Sequence, residues 1–264
     1  MQLNRSMKRI QLFEFEDLAW FPKLFRDPMT RLINVMHKLL KTSEDMTSLM
    51  DRILKESGEN KIVDLCSGGG GPMVDVYDKL KNEHGYENLE LQMTDLYPNK
   101  LFAESINTKE GVNYSLNPVD ATKVDENIKG VRTMVGSFHH MDFDNARKIL
   151  EDAKASRSPI CILELSDNST PKAIWWIAIF FNLIFSFIIT LFSRPLTWKQ
   201  LLFTYLIPII PIAYAWDGAV SNARTYSKED LTILLDGLEG DDYKWETGVL
   251  KTRGSKMYLL GKAI

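Results

Sequence analysis

The segment KIVDLCSGGGGP, residues 61–72, restricts the fold more than any other part of the chain. A β-rich run with an acid inside it meets four consecutive glycines, then a proline and a stretch with helical spacing. Glycines at a strand-to-helix turn let backbone N–H groups approach a ligand where a Cβ would collide with it. Such a turn belongs to an α/β sheet and binds at its carboxyl edge. Phosphate-binding templates do not fit. GxxxxGK[ST] lacks its Lys and Ser/Thr, and GxGxxG fails because Met73 or Val74 stands where the third glycine belongs.

Further β-rich runs follow: LELQMTD, VNYSL, VRTMVGSF and PICILELS. Helices are expected between them at about 73–84, 99–107 and 142–155, the last with Asp142 or Asp144 near its start. This alternation predicts parallel strands with crossover helices. The final runs, near 243–252 and 256–263, are separated only by Arg253, Gly254 and Ser255, a link that joins antiparallel strands only. Residues 1–58 carry apolar residues at helical spacing, among them Leu32, Val35, Met36 and Leu39, so two or three helices precede the sheet. The expected architecture is a Rossmann-like, mostly parallel seven-stranded sheet with an antiparallel last strand. Residues 1–58 form a helical cap, 59–169 with 225–264 the sheet domain, and 170–224 an insertion between strands five and six.

A chain that is 45% hydrophobic and 25% charged folds, and its two cysteines exclude a disulfide scaffold. A net charge of −3 and the lack of any basic run argue against nucleic acid as a partner. No apolar core follows the basic residues of MQLNRSMKRIQLFEFED, so a cleavable signal peptide is not expected and the sheet domain is placed in the cytoplasm.

Taken in order, these motifs resemble class I S-adenosylmethionine-dependent methyltransferases, whose first motif is an acid followed by a GxGxG-like turn. Asp64, Gly68 and Gly70 match it, and Cys66 stands where the first glycine usually lies. The resemblance implies S-adenosylmethionine as cofactor. It further implies that Asp95, in LQMTDLYPN, accepts hydrogen bonds from the ribose hydroxyls, and that Asp120 and Ala121, in NPVDATKV, flank the adenine. Ser67, Leu96 and Ser137 complete the implied cofactor site. The whole chain also resembles a bacterial, membrane-associated group of methyltransferase-like proteins with stretches similar to DLAWFP, DLCSGGGGP, FHH, PLTWKQLLFTYLIP and RTY, a likeness that carries no substrate. The blander roles are caps or turns for Asp95 and Asp120, and inert packing for Cys66 and Cys161 in buried strands.

Methyl transfer is an in-line displacement that needs alignment, a dry pocket and sometimes a base. His139 and His140 follow the fourth strand and are the candidate catalytic residues, packing beside the pocket being the alternative. Glu164, after the fifth strand, is a candidate for touching substrate. By the same resemblance, N-terminal helices roof the cofactor, so Trp20 and Phe21 are placed at the acceptor entrance. No metal is expected, because His37, His84, His139 and His140 form no ligand-spaced cluster in sequence.

Residues 173–192 carry no charge and as one helix would span about 30 Å, a bilayer's hydrocarbon thickness. Because the chain must return to the sheet, a single crossing is impossible. Pro208 and Pro211 interrupt the second apolar stretch, and Arg194 and Lys199 lie between the two. The preferred expectation is a shallow or re-entrant hairpin anchored from the cytoplasmic side, ahead of two full crossings. Ala178, Asn182, Ser186 and Thr190 form a small and polar stripe for the second segment to pack on. Trp175, Trp176, Trp198 and Trp216 suit an interface. The alternative is a hydrophobic lid or dimer contact. The favoured function is methyl transfer to a small hydrophobic substrate from the lipid phase. A membrane-tethered scaffold and a nicotinamide-dependent oxidoreductase are the competing classes.

Overall fold

The computed structural model describes residues 7–264. Seven strands form one sheet in the order β3-β2-β1-β4-β5-β7-β6. β1 (Lys61–Asp64), β2 (Glu90–Met93), β3 (Val112–Tyr114), β4 (Val131–Val135) and β5 (Ile160–Leu163) are parallel. β7 (Gly254–Ala263) runs antiparallel between β5 and β6 (Tyr243–Thr252), as the short link requires. Val63, Met134 and Ile162 are buried on one face and Ile62, Val131 and Cys161 on the other. Burial on both faces explains why the central strands read as unbroken apolar runs. The strand order reverses between β1 and β4, which opens a crevice at their carboxyl ends.

α2 (Thr42–Ser57) and α3 (Met73–His84) cover one face with Met50, Ile53, Val76 and Leu80. α5 (Phe143–Ala155) and α9 (Lys228–Leu235) cover the other with Ile149, Leu150, Leu231 and Leu234. Each such side chain contributes about 1.5–3 kcal/mol on burial. α5 starts at Asp142, whose carboxylate accepts the Asn145 N–H, and α9 starts at a reciprocal Ser227–Asp230 capping box. α4 (Lys100–Ile106) begins at Asn99 in the same way.

α1 (Lys23–Leu39) crosses the carboxyl edge of the sheet and packs on the insertion. The insertion consists of α6 (Ile177–Thr190), then α7 (Trp198–Leu201) running into a π-helical turn at Leu202–Leu206, then α8 (Ile209–Arg224). The expected 20-residue helix is corrected: residues 171–176 form successive tight turns, and α6 has 14 residues, about 21 Å. Pro195 disfavours helical geometry in the residue before it and helps to end the segment. Among the described residues no single helix is long and apolar enough to cross a membrane, so the two-crossing arrangement loses its first span. The second stretch is bent by 76° before α8. Ser186 and Thr190 of the small stripe are fully buried, and Gly218 of α8 leaves room for the Asn182 amide.

The segment before α1 is tied to α9 and to the insertion. Lys8 and Arg9 N–H donate to the Asp230 carboxylate, and Phe15 and Glu16 N–H to that of Asp217. A lone acid inside the apolar α8 is thus satisfied by backbone donors.

Candidate active site

The glycine turn lies at the switch between β1 and β4. β1 ends at Asp64, so Cys66 is in the turn rather than in a strand as expected. Its φ is 57°, the left-handed region, which costs a non-glycine residue about 1–2 kcal/mol. Cysteine there keeps the backbone shape that a glycine would give. Burial, and then the nearby Asp95, Asp64 and Asp120, push the thiol up to about 12, so it stays protonated. Gly70 has φ 98°, and a Cβ there would lie 2.2 Å from Cζ of Phe102.

Asp64 is buried, and the Ser67 and Thr133 hydroxyls donate to its carboxylate at 2.6 and 2.7 Å. Burial raises its pKa to about 7 against these two bonds. Asp64 and Ser67 therefore brace the turn from behind. Asp95 lies directly against the turn: one carboxylate oxygen accepts the Gly68 N–H at 2.8 Å, the other the Tyr97 N–H at 2.8 Å. Each oxygen retains a lone pair for an outside donor. Leu96 is exposed beside it. Asp120 is exposed and accepts from the Thr122 N–H and hydroxyl through one oxygen only, while Ala121 is buried. Ser137 Oγ is buried without a partner. A hollow of about 230 Å³ adjoins the turn, lined by Gly69, Gly71, Phe102, Lys38 and His37. Neither Asp95, half-buried, nor Asp120, exposed, lines it.

A second cavity, of about 270 Å³, lies under α1 between the sheet edge and α8. Met29, Ile33, Met36 and Leu40 make one wall apolar, with Tyr214 opposite. The other end is polar: His139, His140, Glu164, Glu14, Glu16 and Asp217 face it. His37 borders both cavities, and its imidazole lies 3.7 Å from where a Cβ on Gly136 would stand. Burial lowers its pKa to about 4, so this ring is neutral.

His139 follows β4 in a short 3₁₀ turn, Phe138–His140. Its Nδ1 is 2.7 Å from Glu164 Oε2, and its N–H donates to Glu164 Oε1 at 3.1 Å. Burial opposes charge on the imidazole, but the Glu164 carboxylate outweighs it and holds the His139 pKa above its ordinary value. Burial likewise opposes charge on Glu164, and His139 overcomes it and holds the carboxyl below the ordinary range. His140 Nδ1 is 2.7 Å from Asp17. Arg224 joins Asp17, lies 3.2 Å from Glu14 and donates to the His139 and His140 carbonyls.

His139, His140 and Glu164 are therefore brought together, and Ser137 lies two residues before His139. Trp20 and Phe21 do not line the cavity. Trp20 is 70% exposed, and Phe21 is buried with Phe15, Phe25 and Met29 in the cluster that α1 makes with the insertion. The N-terminal segment roofs the cavity with acids instead. Sequence reading also missed the grouping of Glu14 with His139 and His140, whose ligand atoms lie within 4.8 Å of one another. The expectation that these histidines meet no acid at ligand spacing is thereby corrected. The available signal was an acid between Phe13 and Phe15, a place where an acid is costly without a partner.

No protein-family model and no curated protein matches the chain. Among solved structures it is similar to the plantazolicin methyltransferase BpumL in complex with SAH, at 12% identity over 89% of this chain and 84% of that chain, TM-score 0.51. BpumL with a pentazolic desmethylPZN analogue and SAH gives 10% identity over 90% and 98%, TM-score 0.51. At such identities the likeness is one of fold, the Rossmann-like methyltransferase fold.

Proposed function

We propose that the chain transfers a methyl group from S-adenosylmethionine to a hydrophobic or lipid-like small molecule, at the cytoplasmic face of a membrane. The observation that carries this reading is the contact of the Asp95 carboxylate with the glycine turn, whose hollow shares His37 as a border with the cavity that ends in His139. The residues present fit the cofactor. Asp95 offers free lone pairs to a diol, Leu96 an apolar surface to a base, Asp120 a free oxygen, and Ser137 Oγ is buried and unpartnered. The hollow at Gly69 and Gly71 leaves room at the backbone. When bound, the cofactor supplies an electrophilic methyl group.

The chain's own part is placement and proton handling. The α1 wall holds an apolar acceptor and excludes water, and His139, oriented by Glu164, is placed to take the acceptor's proton at Nε2, with His140 beside it. The apolar face supports a membrane source for the acceptor. Phe180 and Phe181 are 61% and 64% exposed, Phe192 67% and Leu206 76%, all on the insertion. BpumL is in complex with a desmethylPZN analogue and SAH together, which supports the reading that this fold holds an acceptor and the cofactor at once.

The test is transfer of labelled methyl from S-adenosylmethionine into lipid, quinone and isoprenoid extracts by the full chain. Label in an organic-soluble product, reduced about 10²–10⁴-fold in His139→Ala, is expected. No label in any extract overturns the enzymatic reading.

A further inference from the structure

The polar end of the larger cavity contains more than a base. His139 and His140 lie side by side, ring centroids 4.2 Å apart, each with Nδ1 engaged by a carboxylate, Glu164 for one and Asp17 for the other. A carboxylate on Nδ1 keeps the proton on that nitrogen and leaves Nε2 as the lone-pair donor, the outer-shell pattern of metal-ligating histidines. Both Nε2 atoms face the same side chain: each lies 3.8 Å from an oxygen of Glu14. That is too far for a hydrogen bond.

One of these donors is buried and unpartnered. His139 is 6% exposed, yet its Nε2 has no hydrogen-bond partner, whereas the buried Glu14 has the Arg224 guanidinium 3.2 Å from Oε1 and accepts the Ser221 hydroxyl at Oε2. Leaving such a ring nitrogen unsatisfied costs about 1–3 kcal/mol, so its aim at a carboxylate beyond hydrogen-bond reach indicates a missing occupant.

We propose that Glu14, His139 and His140 bind one divalent transition-metal ion of the zinc, cobalt or iron(II) class. Two imidazoles and a carboxylate suit these ions rather than magnesium or calcium, which prefer oxygen donors. Ligands about 2.1 Å from a tetrahedral ion are about 3.4 Å apart; the two 3.8 Å separations run to different oxygens of Glu14 and the three ligand atoms lie within 4.8 Å of one another, so side-chain adjustment by up to about 1.4 Å closes the set on an ion. At this end of the fold Glu14, Asp17 and Glu164 face Arg9 and Arg224, with the acids Glu16 and Asp217 beside them. Three protein ligands leave coordination positions open towards the cavity, the arrangement of a catalytic rather than a structural site. The inference deepens the methyltransferase reading and rests on it only for the use of the ion; with the ion bound, His139 Nε2 is a ligand rather than the base proposed above, and the ion would polarise the acceptor in its place.

The test uses the full chain, stripped with chelator and titrated with cobalt(II), whose visible absorption reports nitrogen and oxygen ligation; zinc is then added as competitor. One equivalent of cobalt bound and displaced by zinc, with affinity reduced roughly 100-fold or more in Glu14→Gln and in His140→Ala, is the expected result. Absence of cobalt binding to the wild-type chain overturns the proposal, as does binding that both variants retain. SAH titration of the same samples shows that the variants are folded and separates the claims. SAH binding without cobalt binding removes the metal site alone, whereas cobalt binding without SAH binding removes the methyltransferase reading alone.

Discussion

Replacing Gly70 with alanine tests the structure of the turn quantitatively. Two costs are readable at this position. The φ of 98° places an L-residue in strained backbone, about 1–3 kcal/mol, and the new Cβ would meet the Phe102 ring at 2.2 Å. Phe102 is held against Tyr114, ring centroids 5.7 Å apart, so relieving the overlap means moving a packed ring, about 1–3 kcal/mol more. The expected destabilisation is about 2–6 kcal/mol. Gly71→Ala is the internal control, since its φ of 48° carries backbone cost but no heavy atom lies within 4 Å of its Cβ. The difference between the two variants isolates the Phe102 contact. Urea unfolding of the full chain in mild detergent measures both, and Phe102→Leu in the Gly70→Ala background recovers the collision but not the strain. Equal destabilisation by Gly70→Ala and Gly71→Ala, or no recovery with Phe102→Leu, would refute the described turn.

Asp64→Asn should flatten the pH dependence of stability. The folded pKa of about 7 lies above the unfolded value of 3.8, so the wild-type chain loses up to about 4 kcal/mol as pH rises from 4 through 7; urea midpoints at pH 5 and pH 8 should converge in the variant. The fully buried Lys256 Nζ is paired with Asp45, so Asp45→Ala is expected to cost about 3–5 kcal/mol, and Lys256→Met with Asp45→Ala together less than Asp45→Ala alone, by thermal unfolding. Changing Phe180, Phe181 and Phe192 to serine should weaken sedimentation with lipid vesicles by roughly fivefold per residue, with the unfolding midpoint little changed because these rings are exposed. Unaltered vesicle binding would point to another use for the face.

Much of the sheet was legible because its signals are local. Strand runs, the Ser227–Asp230 capping box and the short link before the last strand, read as three residues and in the structure Arg253 alone, each state their geometry within a few residues. The insertion was legible as apolar but not as broken, since the turns at residues 171–176 come from i→i+3 bonding that composition does not encode. Cys66 illustrates a different limit. Sequence shows a departure from glycine, whereas the backbone takes the left-handed conformation all the same. Asp95 meets Gly68 because adjacent parallel strands end side by side, a consequence of the motif order. Glu14, His37 and Asp217 were not legible as site residues, because their partners come from distant parts of the chain, and the aromatic density around Trp20 and Phe21 directed attention to packing residues instead.

Calorimetric titration of the full chain with S-adenosylmethionine and with SAH, wild type beside Asp95→Ala, addresses the central claim most directly. The account predicts one-site binding to the wild-type chain, no binding of NAD, and about 10–100-fold weaker binding once the carboxylate at the Gly68 turn is removed. Tight NAD binding, no binding of either sulfur nucleoside, or equal affinity in Asp95→Ala would contradict it.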